Sequence, residues 1–120
     1  MRIAPLVLSA VIAATATASA QALDCGQPPF RKPTLPSDIS NLTLEQLRDI
    51  RSKVVNYSGA VDTYLNCMDA ESEKLSRFMT KEQRARRDQD LNDLHERRRE
   101  VQVQLNEIIR NFRARTGTDS

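Results

Sequence analysis

Apolar residues recur at alternating steps of three and four positions along two long stretches of the chain. This spacing is typical of helices that pack on each other along a coiled-coil seam. The first stripe consists of Leu47, Ile50, Val54, Tyr57, Val61, Tyr64, Met68, Glu71, Leu75 and Phe78. The second stripe consists of Arg84, Arg87, Leu91, Leu94, Arg98, Val101, Leu105, Ile108, Phe112 and Arg115. The pattern predicts an all-α fold built on two long helices.

Two capping boxes mark the helix starts. Thr43 is followed three positions later by Gln46, and Thr80 is followed three positions later by Gln83. In a capping box, the threonine hydroxyl accepts a hydrogen bond from the backbone at the third helical position, and the glutamine side chain accepts one from the backbone of the cap. Each helix is therefore predicted to begin directly after its threonine.

The end of the second helix is also marked. Gly117 follows a basic last turn, and both features are typical of a helix C-terminus. We predict helices at about 44–78 and 81–115, of equal length and joined by a short turn at Thr80. Two long helices with so short a turn between them are expected to pack as an antiparallel, coiled-coil-like hairpin.

Folding the chain back at this turn brings together residues that are equally far from it. The one acid in the first stripe, Glu71, then faces Arg87 of the second stripe. This coincidence favours the hairpin and predicts a Glu71–Arg87 ion pair on its seam. On the same register, the side chain of Arg98 reaches either Asp62 or a neighbouring tyrosine ring.

The start of the chain has the pattern of a secretory signal peptide. Arg2 precedes an apolar stretch at 3–14, and small residues follow. Two Ala-x-Ala sites place cleavage after Ala20 or Ala22. The apolar stretch is shorter than the roughly 20 residues of a membrane-spanning helix. We therefore expect an exported protein, periplasmic or extracellular, without a transmembrane segment.

Composition divides the chain into four parts. The predicted parts are a signal peptide at 1–20, a proline-rich extended arm at 21–43, the helical hairpin at 44–116 and a C-terminal tail at 117–120. Four of the five prolines lie in the arm, and proline disrupts the interior of a helix. The arm is therefore expected to be extended.

The two cysteines, Cys25 and Cys67, are predicted to form an intrachain disulfide. An even count in an oxidising compartment favours such a bond, and an intermolecular bond is the alternative. The intrachain bond would hold the arm antiparallel to the first helix and staple a third layer onto a small core. The packing that we expect involves Phe30, Leu35 and Ile39 of the arm beside Val55 and Leu65 of the helix.

No set of side chains in the sequence indicates catalysis or a cofactor. His95 is the only histidine, and it lacks the partners that a zinc site needs. The segment 88–93 resembles the start of an EF-hand loop, but Asp93 stands where the loop needs glycine and Arg99 where it needs glutamate. We therefore expect no enzyme activity, no metal and no cofactor.

Charge is nearly balanced along the chain, with 18 Lys and Arg against 16 Asp and Glu and a net charge of +2. Such a balance gives no general attraction to nucleic acid, which we do not expect as a partner. Basic clusters at 84–87 and 97–99 are interleaved with acids. This interleaving is typical of a salt-bridged helix surface, and an anionic partner patch is the alternative.

The two capping segments also resemble a family motif. Residues 41–54 read NLTLEQLRDIRSKV, and residues 79–87 read MTKEQRARR. They are similar, at 42–46 and 79–83, to the paired LTxxQ motifs of the Spy/CpxP group of bacterial periplasmic chaperones, with Met79 in place of leucine. The resemblance implies a secreted, helical, cofactor-free protein that holds unfolded clients on a concave face that is both basic and apolar.

Two functions remain open on the sequence. One is a structural or adaptor module of the cell envelope, which docks on a protein partner or dimerises through one flank of the hairpin. The other is a Spy/CpxP-like chaperone or stress-related client binder. Exposed Met and Leu on a concave surface would favour the chaperone, and a flat second apolar stripe would favour docking. The second apolar set consists of Val55, Leu65, Val103 and Ile109.

Overall fold

A computed structural model describes residues 25–117, which form a hairpin of two long helices. Helix α1 spans Leu44–Leu75, a 3-10 turn covers Ser76–Phe78, and helix α2 spans Lys81–Thr116. The two helices pack against each other, and residues 25–117 contain no strand. The predicted all-α hairpin is confirmed, although α1 tightens into the 3-10 turn before the predicted end at 78. The predicted signal peptide lies outside the described residues.

Both capping boxes are formed. The hydroxyl of Thr43 accepts from the backbone N–H of Gln46 at 3.1 Å, and the Gln46 side chain accepts from the backbone N–H of Thr43 at 3.0 Å. Thr80 and Gln83 repeat this exchange at 3.1 and 2.9 Å. At the other end of α2, Gly117 takes the left-handed conformation with φ of 72°, which a residue with a side chain rarely adopts.

Arg84 closes the turn between the helices. The last carbonyl groups of a helix lack intrahelical partners and need other donors. Nη1 of Arg84 donates to the carbonyl oxygens of Ser76 and Met79, at 2.9 and 3.0 Å. The backbone N–H of Met79 also donates to the Ser76 carbonyl, at 3.2 Å. Arg84, which belongs to the second stripe of the sequence pattern, thus supplies hydrogen-bond donors to the carbonyl groups of the turn.

The core lies between the helices and uses the apolar positions of the predicted seam. One buried cluster consists of Ile50, Val54, Tyr57, Val61, Leu65, Leu94, Val101 and Leu105. A second cluster, toward the open end of the hairpin, consists of Leu47, Ile108 and Phe112. Burial of each such side chain stabilises the fold by roughly 1.5–3 kcal/mol. Leu47 and Phe112 belong to the same cluster, which agrees with the antiparallel register.

The arm, residues 25–43, runs along the hairpin and contacts both helices. Leu35 and Ile39 are half-buried against the core clusters. Lys32 forms an ion pair of 3.4 Å with Glu100 of α2. The guanidinium of Arg97 on α2 lies 5.7 Å from the centre of the Phe30 ring. The arm therefore covers the groove between the helices on the flank that carries Cys67.

The expectation that the arm covers Val55 is wrong. Val55 is 59% exposed, whereas Leu65 is buried in the core of the hairpin. Val55 and Cys67 are 12 positions apart, which places them about 120° apart around a helix of 3.6 residues per turn. An arm that starts at Cys67 therefore runs along a different side of α1. Phe30 also departs from the expectation, since it is 61% exposed and contacts α2.

Within residues 25–117, neither helix combines the length and the apolar character that crossing a bilayer requires. Their charged and amide side chains recur on every turn outside the seam.

Candidate functional site

The predicted disulfide is present and fixes the start of the arm. Cys25 and Cys67 are bonded, with their Cα atoms 5.5 Å apart, and no free cysteine occurs among the described residues. Cys67 lies on the flank of α1, one position away from the seam residue Met68. The bond joins positions 42 residues apart and ties the start of the arm to the last third of α1, toward the closed end of the hairpin.

The predicted ion pair between Glu71 and Arg87 is not formed. Nη2 of Arg87 donates instead to the main-chain carbonyl of Met68, at 2.6 Å. Oε2 of Glu71 and Nε of Arg87 are buried without a hydrogen-bond partner among residues 25–117. Both side chains lie at the same end of the seam. The guanidinium of Arg87, which the predicted register pairs with Glu71, instead donates to the Met68 carbonyl.

Glu71 lies beside the disulfide. Its carboxylate and the sulfur atoms of Cys25 and Cys67 all lie within 4.8 Å of one another. Thiolate, and not disulfide sulfur, is the form of cysteine that ligates metals. With the bond closed, this group supplies one carboxylate as a metal ligand.

Two arginines of the basic cluster at 97–99 on α2 form ion pairs with acidic side chains. Arg98 forms an ion pair with Asp62 across the hairpin, which is one of its two predicted positions. Arg99 forms an ion pair with Glu96 at 3.0 Å. His95 is exposed, with Nδ1 3.3 Å from Nη2 of Arg98. These contacts agree with a salt-bridged helix surface. The segment 88–93 lies inside α2, so it does not form a loop.

A second groove runs between α1 and α2 on the flank that the arm leaves uncovered. It has a volume of about 460 Å³. We call it the open groove, and its lining consists of Leu44, Leu47, Arg48, Arg51, Val55, Gln102, Leu105, Asn106, Ile109, Phe112 and Arg113. Its residues on α1 recur at steps of three and four, as do those on α2, so they form one face of each helix.

The floor of the open groove is apolar. Leu47, Leu105 and Phe112 are buried there as part of the core. Above them, Leu44 is 51% exposed and Val55 is 59% exposed. Leu44 and Val55 therefore add exposed apolar surface at the edge of the groove.

The rim of the open groove is basic. Arg48, Arg51 and Arg113 line it, and no acidic residue does so within the described part of the chain. None of the three guanidinium groups forms an ion pair with another of residues 25–117. The rim therefore presents three unpaired positive charges around an apolar floor.

Sequence reasoning found only part of this surface. It identified Val55 and Ile109, but it missed Leu44 and the three arginines. The signal was present, because Leu44, Arg48, Arg51 and Val55 follow the same three-four spacing as the seam. Val103, which was grouped with this set, instead lies at a shallow depression with Arg99, Glu100 and Gln104.

Two tyrosines of the seam, Tyr57 and Tyr64, have hydroxyl groups with a raised pKa. Burial raises the pKa of Tyr57, and the positive charges of Arg97 and Arg98 partly oppose this effect. Burial likewise raises the pKa of Tyr64, against the charge of Arg87. The Tyr57 hydroxyl is buried and has no hydrogen-bond partner among the described residues. Both groups are therefore neutral phenols at physiological pH.

Comparison with known proteins gave no match, whether to a family model, to a curated protein or to a solved structure.

Proposed function

We propose that this protein is an exported, non-enzymatic helical adaptor of the cell envelope that binds a protein partner through the open groove. The observation that carries the proposal is the combination of exposed Leu44 and Val55 with a rim of unpaired arginines. Arginine is enriched at protein interfaces, whose buried centre is apolar. A salt-bridged surface without such a groove would offer no comparable site.

The chemistry of the groove suggests its partner. An amphipathic helix lays its apolar face into a groove of this kind through side chains spaced three and four apart. Acidic residues beside that face would pair with Arg48, Arg51 and Arg113. A second copy of this chain would bring the same three arginines to the interface, so like-charge repulsion disfavours a symmetric dimer through the groove.

Export is proposed from two features. The start of the chain has the signal-peptide pattern with Arg2 and the Ala-x-Ala sites. The Cys25–Cys67 bond suits an oxidising compartment, because disulfides persist in the periplasm and outside the cell but are rare in the cytosol. The proposal that the protein is not an enzyme rests on the lack of a recognisable catalytic set in the sequence.

A Spy/CpxP-like client binder is the second candidate. The paired LTxxQ-like segments at 42–46 and 79–83 support it, and so do two exposed aromatic rings. Phe78 at the hairpin tip is 76% exposed, and Phe30 is 61% exposed. Exposed rings at separate places suit weak contacts with many unfolded chains, whereas the open groove suits one partner.

Site-specific photocrosslinking distinguishes these functions. A photoreactive amino acid is placed at Val55, and the matched control carries it at Val103, which is exposed outside the groove. Both proteins are crosslinked in periplasmic extract, and the crosslinked peptide is sequenced by mass spectrometry. The adaptor function predicts one dominant partner at Val55, joined through an acidic amphipathic segment and lost in Arg51→Glu.

Three other crosslinking results would each contradict the adaptor function. Crosslinks from Val55 to many unrelated proteins would favour the client binder. Crosslinks to the chain itself would favour a homodimer. Equal capture from Val55 and Val103 would contradict the use of the groove.

A further inference from the structure

A separate cavity lies between the arm and the hairpin. It has a volume of about 480 Å³, which is within the range of small-molecule sites. Its apolar wall includes Pro28, Phe30, Tyr64, Met68, Leu91 and Leu94. We call it the arm cavity, and it shares no lining residue with the open groove. Aromatic rings and methionine sulfur make this wall adaptable to different apolar shapes.

Charged side chains converge on the same cavity from α2. Arg86, Arg87 and Arg97 line it together with Asp90 and Asp93. None of these five forms an ion pair with another of residues 25–117. The cations outnumber the acids by one, so an anionic group is favoured over a cationic one.

Arg87 is the residue of the cavity to which an anionic group would bind. It lines the cavity and is half-buried, and its Nη2 is committed to the Met68 carbonyl. The other terminal nitrogen of the guanidinium bonds no acceptor among the described residues, so a ligand can supply one. Carboxylates accept from guanidinium groups through short, charge-assisted bonds.

We propose that the arm cavity binds a small amphipathic carboxylic acid. Its apolar body lies against Phe30, Met68 and Leu94, and its carboxylate accepts from Arg87. The arm forms one wall of the site, so the Cys25–Cys67 bond that holds the arm also holds the site together. This site is independent of the proposed docking of a protein partner.

Nuclear magnetic resonance titration of the disulfide-bonded, 15N-labelled protein tests the site. The probes are decanoate, decyltrimethylammonium and acetate, each below any concentration at which micelles form. We expect decanoate to shift the amide signals around Tyr64, Met68 and Leu91 in a saturable way. It should bind about tenfold more tightly than the ammonium with the same chain, because one charge-assisted hydrogen bond distinguishes the two. Acetate should not bind measurably, because it lacks the apolar body.

Three variants assign the parts of the site. Arg87→Met should remove the preference for decanoate over the ammonium, whereas Arg110→Met, at an exposed position outside the cavity, should keep it. Phe30→Ala should weaken both ligands by a similar factor. Phe30 is exposed and belongs to no buried cluster, so this variant tests the site even if Arg87→Met fails to fold.

The proposal is overturned by any of three results. Decanoate shifts could map outside the cavity or fail to saturate. The ammonium could bind as tightly as the acid. Folded Arg87→Met could bind decanoate with unchanged preference.

Discussion

Arg87 of α2 donates a hydrogen bond to the main-chain carbonyl of Met68 in α1, at 2.6 Å. This bond joins the helices near the closed end of the hairpin, close to where the disulfide holds the arm. It also explains why Glu71 remains without a partner, because the guanidinium that could have neutralised it is turned toward the backbone. The hairpin register predicted from the sequence survives, but the interaction that marks it is different.

The first prediction concerns Glu71 and Arg87. Arg87→Met should lower the free energy of unfolding by about 1–2 kcal/mol, since it removes a charged hydrogen bond. Glu71→Gln should change it by less than about 0.5 kcal/mol, because the carboxylate has no partner to lose. Urea denaturation of both single variants and the double variant gives their coupling, which should stay below about 0.5 kcal/mol. Coupling above about 1 kcal/mol would mean that the two side chains pair in solution.

The second prediction uses Asp62 and Arg98 to test the register. Their ion pair crosses the hairpin, and Arg98 is mostly buried while Asp62 is mostly exposed. Asp62→Asn and Arg98→Met should couple by about 0.2–1 kcal/mol in a double-mutant cycle. The coupling should shrink in 1 M salt, where charges are screened within about 3 Å.

A matched cycle controls for general effects of charge. Arg99 pairs with Glu96 on its own helix, so Asp62→Asn with Arg99→Met should be additive. If the Asp62–Arg98 cycle were equally additive, the pair would not hold the two helices in register.

How far the sequence could predict this structure depends on the range of each interaction. The capping boxes at Thr43 and Thr80 are local, because each one joins residues three apart, and both were predicted correctly. The seam between the helices was also predicted, because its apolar residues recur periodically along the sequence. The partner of Arg87 was not predictable, because a flexible guanidinium can donate to a backbone carbonyl, here that of Met68, as well as to a carboxylate.

The predictions of the arm's path and of the open groove were wrong or incomplete for a geometric reason. The spacing between Val55 and Cys67 already places them on different sides of α1. The prediction considered only how far each residue lies along the helix, and not the side of the helix that it faces. Arg48 and Arg51 were overlooked because charged residues on a helix are usually only solvated. Their importance depends on α2, which brings Arg113 to the same rim without any acid.

The third prediction concerns Tyr57. Its buried hydroxyl has no partner among the described residues, so Tyr57→Phe removes an unsatisfied polar group and keeps the ring. We expect the free energy of unfolding to rise by about 0.5–1 kcal/mol, because burying an unpaired hydroxyl is costly. Tyr64→Phe is the control, and it should change stability by less than about 0.5 kcal/mol. Destabilisation by Tyr57→Phe would show that the hydroxyl has a partner in solution.

Alkaline pH gives an independent reading of Tyr57. Burial raises its pKa in the folded state above the unfolded value, so the folded state holds this proton more tightly. The stabilisation linked to that proton is complete below the unfolded pKa of about 10 and is lost as the pH rises through the folded pKa. The stability advantage of Tyr57→Phe over the wild type should therefore increase above about pH 10. An advantage that stays constant would contradict the raised pKa.

The last prediction concerns the disulfide. Cys25→Ser with Cys67→Ser opens a loop of 42 residues and should lower the free energy of unfolding by up to about 4 kcal/mol in the chain-entropy model. The helical circular dichroism should persist at low temperature, because the core clusters lie between α1 and α2. Released from Cys67, the first part of the arm keeps only exposed contacts such as Lys32–Glu100, which contribute little, whereas Leu35 and Ile39 stay packed on the core clusters.

Limited trypsin digestion then locates the loss of structure. Cleavage after Arg31 in the arm should become much faster in the double variant, while cleavage inside α2 should change far less. Lys32→Met with the disulfide intact is the control, and its arm should stay protected because the covalent bond remains. Equal acceleration in the arm and in α2 would mean that the arm and the hairpin unfold as one unit, and the disulfide would then stabilise the hairpin itself.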